Sequence, residues 1–158
     1  MFRALPPLAV ALAIAGVIPF ALLGIGSVGA SPDSSLAAVR SLVGYGAVIL
    51  AFLGGVHWGF ALETEGDDRA TRTRLTLGVL PSLIGWSALF CSIVSRPVLG
   101  LAILIAGFIA VVVVESRAQK RDLVPSGYMA LRWVISVVVV ALLTTVMVLR
   151  LVGARVLL

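Results

Sequence analysis

A chain of 158 residues that is 61% hydrophobic and 12% charged lies far from soluble domains, which are about half apolar and about a quarter charged. No soluble core of this length could absorb that much apolar surface. The formal net charge of +5 comes without a basic run or interleaved aromatic and basic residues, so no nucleic-acid partner is expected and the arginines between apolar stretches read as topology signals.

Residues 4 to 32 carry no charge, and Pro6-Pro7 stands where a first helical turn tolerates proline. The first helix is expected over about 7–28. Met1-Phe2-Arg3, the long apolar run and Val28-Gly29-Ala30 also resemble a secretory signal with a small-residue cleavage site. The run exceeds the roughly 7 to 15 residues of a signal's apolar region, so a retained helix is preferred. Ser31-Pro32-Asp33-Ser34 closes it and offers caps for the second helix, uncharged between Arg40 and Glu63 and expected over 41–62.

A hydrophilic loop from Glu63 to Arg74 precedes the third helix, over about 75–94. Arg96-Pro97 is a tight connection with proline at the first position of the fourth helix, 98–114, so these two helices should be antiparallel neighbours. The polar, basic loop from Glu115 to Gly127 leads to the last, 128–152, with Arg132 in its first turns. The valine runs at 111–114 and 137–140 favour strand by propensity, but their length and the exclusion of open sheet edges from hydrocarbon assign them to helix. The prediction is an all-α polytopic bundle of five transmembrane helices, one integral membrane domain over 1–158. Arg3, Arg69, Arg72, Arg74, Arg117, Lys120, Arg121 and Arg132 share the amino-terminal side, and Arg40, Arg96, Arg150 and Arg155 the other. That asymmetry predicts a cytoplasmic amino terminus and an external carboxyl terminus.

Within helix two, Ala47, Ala51, Gly55 and Gly59 recur every fourth residue and predict a stripe for close helix packing. A phosphate-binding glycine loop is the alternative, but the spacing and a preceding strand are missing. Pro19 and Pro81 should kink helices one and three and free carbonyls that neighbours must satisfy. Gly16-Val17-Ile18-Pro19 and Gly78-Val79-Leu80-Pro81 echo one another, too briefly to establish a duplication.

One polar cluster stands out. His57, the only histidine, lies six residues before Glu63, hence roughly 9 Å inside the end of its helix. Counting from the same membrane side puts Trp58, Ser82, Glu115, Tyr128 and Arg132 near one interface. Ionisable groups in membranes are costly and mark proton or substrate paths by default. The plainer reading pairs or snorkels Glu115 and Arg132, places Trp58 in an aromatic belt and leaves Trp86 to fill the bundle. Histidine titrates near neutrality when unperturbed, so His57 is a candidate proton carrier. One histidine with Glu115 falls short of the usual three or four zinc ligands, and Cys91 is the only cysteine, so no metal or other cofactor is expected. Ser82, His57 and Glu115 have the residue types of nucleophilic catalysis, yet Ser82 follows proline in a helix with no nucleophile elbow.

Several words of the chain resemble a known family. They are Gly16-Val17-Ile18-Pro19-Phe20, the stretch from Tyr45 through Gly54-Gly55-Val56-His57-Trp58-Gly59, Pro81-Ser82-Leu83-Ile84-Gly85-Trp86, and Leu131-Arg132. Together they are similar to the small multi-pass proteins called domain of unknown function 3429. The resemblance implies an all-helical membrane fold without a known activity, and recurring polar positions at Tyr45, His57, Trp58, Ser82, Trp86 and Arg132. Two departures are Glu115, where the family would carry aspartate, and Gly127, where it would carry an aromatic.

These readings point to a non-enzymatic protein of a bacterial inner membrane that packs against or assists another membrane complex. Its expected partners are the lipid bilayer and a second membrane protein or another copy of itself. A proton-linked carrier or channel using His57, Glu115 and Arg132 is the rival, and an intramembrane enzyme comes third.

Overall fold

The computed structural model of the chain describes residues 6–28, 31–62, 68–119 and 126–156. Six helices follow in order: α1 Pro7–Ala15, α2 Ile18–Gly26, α3 Pro32–Leu62, α4 Asp68–Ile93, α5 Pro97–Gln119 and α6 Ser126–Val156. No strand occurs among the described residues. Five segments are long and apolar enough to cross a membrane, with α1 and α2 together making the first.

The break between α1 and α2 follows from Pro19, whose nitrogen has no proton to give the Ala15 carbonyl. The chain tightens ahead of it, with Val17 N–H donating to the Ile14 carbonyl at 2.9 Å. The Gly16 carbonyl accepts the Tyr45 hydroxyl from α3 at 2.9 Å. Beyond the break the two halves differ: α1 buries no residue, whereas α2 drives Phe20 into the core, 1% exposed, edge-on to Tyr45 and Phe108.

Pro81 does not interrupt its helix, since α4 runs through it from Asp68 to Ile93. An interior proline removes a single N–H, and α4 is packed against both α3 and α5, so neighbours hold the helix together. Several helices also outrun the spans inferred from uncharged stretches. α3 starts at Pro32 rather than residue 41, because Ser31 accepts the Ser34 N–H as an N-cap, at 3.2 Å, with proline next. Arg40 is simply exposed on this helix. α4 likewise begins at Asp68, and α5 continues to Gln119. Between α4 and α5, Ser95 adopts a left-handed φ of 63°, and the Arg96 N–H reaches back to the Cys91 carbonyl at 2.8 Å, closing the helix as a Schellman turn does.

Laterally, α3 touches α2, α4 and α5, while α6 touches α5, α2 and α1. The helices α2, α3, α5 and α6 therefore enclose a core of Phe20, Leu42, Leu50, Leu104, Phe108 and Leu143, and α4 covers the α3–α5 side. Leu8, Ile25, Phe52, Leu83 and Val134 point outward, as lipid-facing residues do.

Within the bundle, the small-residue stripe expected on α3 packs only in part. Ala47 does pack, and a methyl at Gly85 of α4 would come within 2.8 Å of its carbonyl oxygen. The second close approach is Gly54 against Gly78, where any Cβ would overlap backbone. A Cβ at Gly55 or Gly59 would meet nothing within 4 Å among the described residues. At about 100° per residue a strict fourth-residue repeat drifts about 120° from Ala47 to Gly59, whereas the seven-residue step from Ala47 to Gly54 drifts by only about 20°.

Candidate functional site

Three helices converge on one carboxylate. Glu115, near the end of the α5 span and 1% exposed, faces His57 of α3 and Arg132 of α6. The His57 Nε2 lies 3.0 Å from Glu115 Oε1, and the Arg132 Nε donates to Oε2 at 2.8 Å. Arg132 Nη1 donates to the Ser136 Oγ at 2.9 Å. His57 and Arg132 are 2% and 5% exposed, so the whole cluster is withdrawn from lipid and water.

The geometry explains why such costly groups persist. A carboxylate and a guanidinium offset each other's charge, and removing one partner of a buried pair costs roughly 3–5 kcal/mol because the other is stranded. One charge pair thus ties α5 to α6, and the imidazole adds α3.

The remaining candidates are placed elsewhere. Trp58 is 46% exposed; its indole N–H donates to the Leu75 carbonyl at 3.3 Å, and its ring covers Gly78, where any Cβ would overlap it. It clamps α3 to α4 rather than joining the cluster. Ser82 is half-buried and makes no hydrogen bond to the cluster; Pro81 is its neighbour that lines a cavity of about 80 Å³ beside His57 and Glu115. Trp86 does not fill the bundle interior: it is 64% exposed and stacks on Phe90 along the outer face of α4. The Tyr128 side chain lies outside the described residues. Among the described residues, no three His, Cys, Asp or Glu side chains converge in a way that could hold a metal ion.

Two polar groupings were missed by counting depths. Ser136 follows Arg132 by one turn, a spacing that puts both on one helix face. Next to it, the Trp133 indole donates to Ser116 at 3.0 Å, a second α5–α6 tie beside the charged one. At the opposite end of the bundle, Arg150 of α6 donates to Ser35 at 2.6 Å, and Ser35 donates to the Ser27 carbonyl. That chain joins α6, α3 and the end of α2 beside an open cavity of about 510 Å³.

The model of the family described as "Protein of unknown function (DUF3429)" matches residues 5–148. Transmembrane protein 69 of Xenopus tropicalis is 40% identical over 87 residues, which are 53% of this chain and 33% of that protein. Transmembrane protein 69 of Mus musculus is 30% identical over 95 residues, 55% of this chain and 35% of that protein. The chain thus spans about a third of the length of the curated relatives it matches. No solved structure matches it. The chain is an integral membrane protein and belongs to the DUF3429 family of proteins of unknown function.

Proposed function

We propose that this protein is a non-enzymatic membrane partner that works by docking a transmembrane helix of another protein against α3. The observation that carries the reading is the state of its glycines. Gly46, Gly54, Gly78, Gly85, Gly100 and Gly107 all stand where a Cβ would collide with a neighbouring helix, whereas Gly55 and Gly59 face open space. These two form a Gly-x-x-x-Gly pair on the outer face, flanked by Val48 and Leu62, 64% and 81% exposed. Small residues at that spacing let a second backbone approach closely, the main source of helix association where lipid is as apolar as the helices. The basic residues, eight on the amino-terminal side against four, support a cytoplasmic amino terminus, with the ion cluster in the cytoplasmic half of the membrane.

A photo-crosslinking residue at Leu62 in native membranes tests the reading. An adduct of defined mass that disappears with Gly55→Ile/Gly59→Ile, while the melting temperature holds, is the expected result. Adducts no different from those formed at outward-facing Val134 would sink it.

The rival reading, a proton-linked carrier, is favoured by one observation. His57 and Glu115 border one cavity and Arg132 borders another, so the cluster separates two spaces. Reconstituted protein that loses proton flux on His57→Gln with its fold intact would establish the carrier.

A further inference from the structure

The second of those spaces has the features of a ligand site. It measures about 180 Å³ and lies among α1, α2, α3, α5 and α6, with Leu12, Gly16, Phe52 and Phe108 in its walls. Apart from Arg132 and Ser136, every lining residue is apolar or glycine. Leu12 and Phe52 are 63% and 67% exposed, so the space opens sideways toward lipid rather than along the bundle axis. Its origin is local: the break ahead of Pro19 releases α1 from the core, and the Tyr45 hydroxyl holds the Gly16 carbonyl at the hinge.

The polar end is unfinished. Arg132 spends Nε on Glu115 and Nη1 on Ser136, while its Nη2, buried from solvent, has no hydrogen-bond partner. A buried donor without an acceptor is costly, the more so for a charged group, so a bound acceptor would relieve a standing penalty. Arg132 and Ser136 are the only polar side chains in walls otherwise apolar, and an apolar space of about 150 Å³ accepts a benzene-sized ring. Glu115 already balances the guanidinium charge, so the acceptor need not be an anion.

We propose that this cavity binds a lipid-soluble molecule whose ring-sized or chain-like apolar body ends in a carbonyl or carboxylate oxygen, entering from the bilayer between α1 and α3 and accepting a hydrogen bond from Arg132 Nη2. The site goes beyond the docking role and stands or falls separately from it, because Gly55 and Gly59 contribute nothing to its walls.

The shared chemistry has two ready sources in a membrane, a quinone and a fatty acid. The test uses the full chain in lipid nanodiscs with two probes, decylubiquinone and dodecanoate, each labelled with ¹³C at its carbonyl carbon. Saturable binding of either is expected, with the labelled quinone C=O band shifted to lower frequency, or the labelled carboxylate stretch displaced, relative to protein-free nanodiscs. The probe that saturates names the source. Ala13→Phe fills the cavity without touching the ion cluster and should weaken that probe at least tenfold while the ligand-free melting temperature holds or rises. Ile135→Trp serves if that variant misfolds. The proposal is overturned if neither probe saturates, if the filled variants bind as the wild type does, or if the labelled carbonyl or carboxylate band of the bound probe is unshifted.

Discussion

The two ends of the bundle solve the same problem with different chemistry. Near the carboxyl-terminal end of α3, Arg132 is held by a buried carboxylate, itself engaged by His57 from a third helix. Near the opposite end, Arg150 is held by the Ser35 hydroxyl, which in turn donates to the Ser27 carbonyl. A carboxylate must itself be compensated, so the first arrangement locks three helices together and fails if any charge is removed. Hydroxyls carry no charge to strand, so the second is replaceable, and the half-buried Arg150 can turn to water when its partner goes.

The comparison is sharpened first by Glu115→Gln, which leaves Arg132 buried without a counter-charge. Thermal or denaturant unfolding in detergent should show a loss of about 3–5 kcal/mol. Replacing both partners by Glu115→Leu with Arg132→Met should cost less than that single change, because no charge is left stranded. A double variant as unstable as Glu115→Gln would mean the cluster acts through packing alone.

A second contrast lies along α3. Gly54→Ala forces two backbones apart and should cost about 1–3 kcal/mol, while Gly59→Ala meets no neighbour and should gain up to about 1 kcal/mol from helix propensity. Equal effects at the two positions would refute the division of this helix into a packed face and an open one. At the opposite end, Arg150→Met should cost about 1 kcal/mol, one ordinary hydrogen bond. A loss as large as that of Glu115→Gln would erase the distinction between the two ends.

The smallest effect is expected at the turn between α4 and α5. Ser95 stands in the left-handed region that glycine occupies freely, so Ser95→Gly should be neutral or stabilising by less than about 1 kcal/mol, since glycine's looser unfolded state offsets part of the relief. A clear destabilisation would show that the serine side chain holds the turn.

What the sequence by itself determined is what depends on one helix at a time. Apolar length decides that a segment spans, and the fixed rise per residue decides how deep a side chain sits. That is why His57, Glu115 and Arg132 were legible as neighbours in depth, and why the proline-linked hairpin of α4 and α5 could be anticipated from Arg96-Pro97. Rotation about each axis and the order of helices around the bundle are decided only when helices meet, because lipid offers every apolar face the same solvent and so leaves no amphipathic signal to orient it. Hence the tertiary structure alone separated Ser82 and Trp58 from the ion cluster and turned Trp86 outward. It also chose Gly54 over Gly55 as the contact with α4, and it left one nitrogen of Arg132, a residue that borders an apolar cavity, without a hydrogen-bond partner.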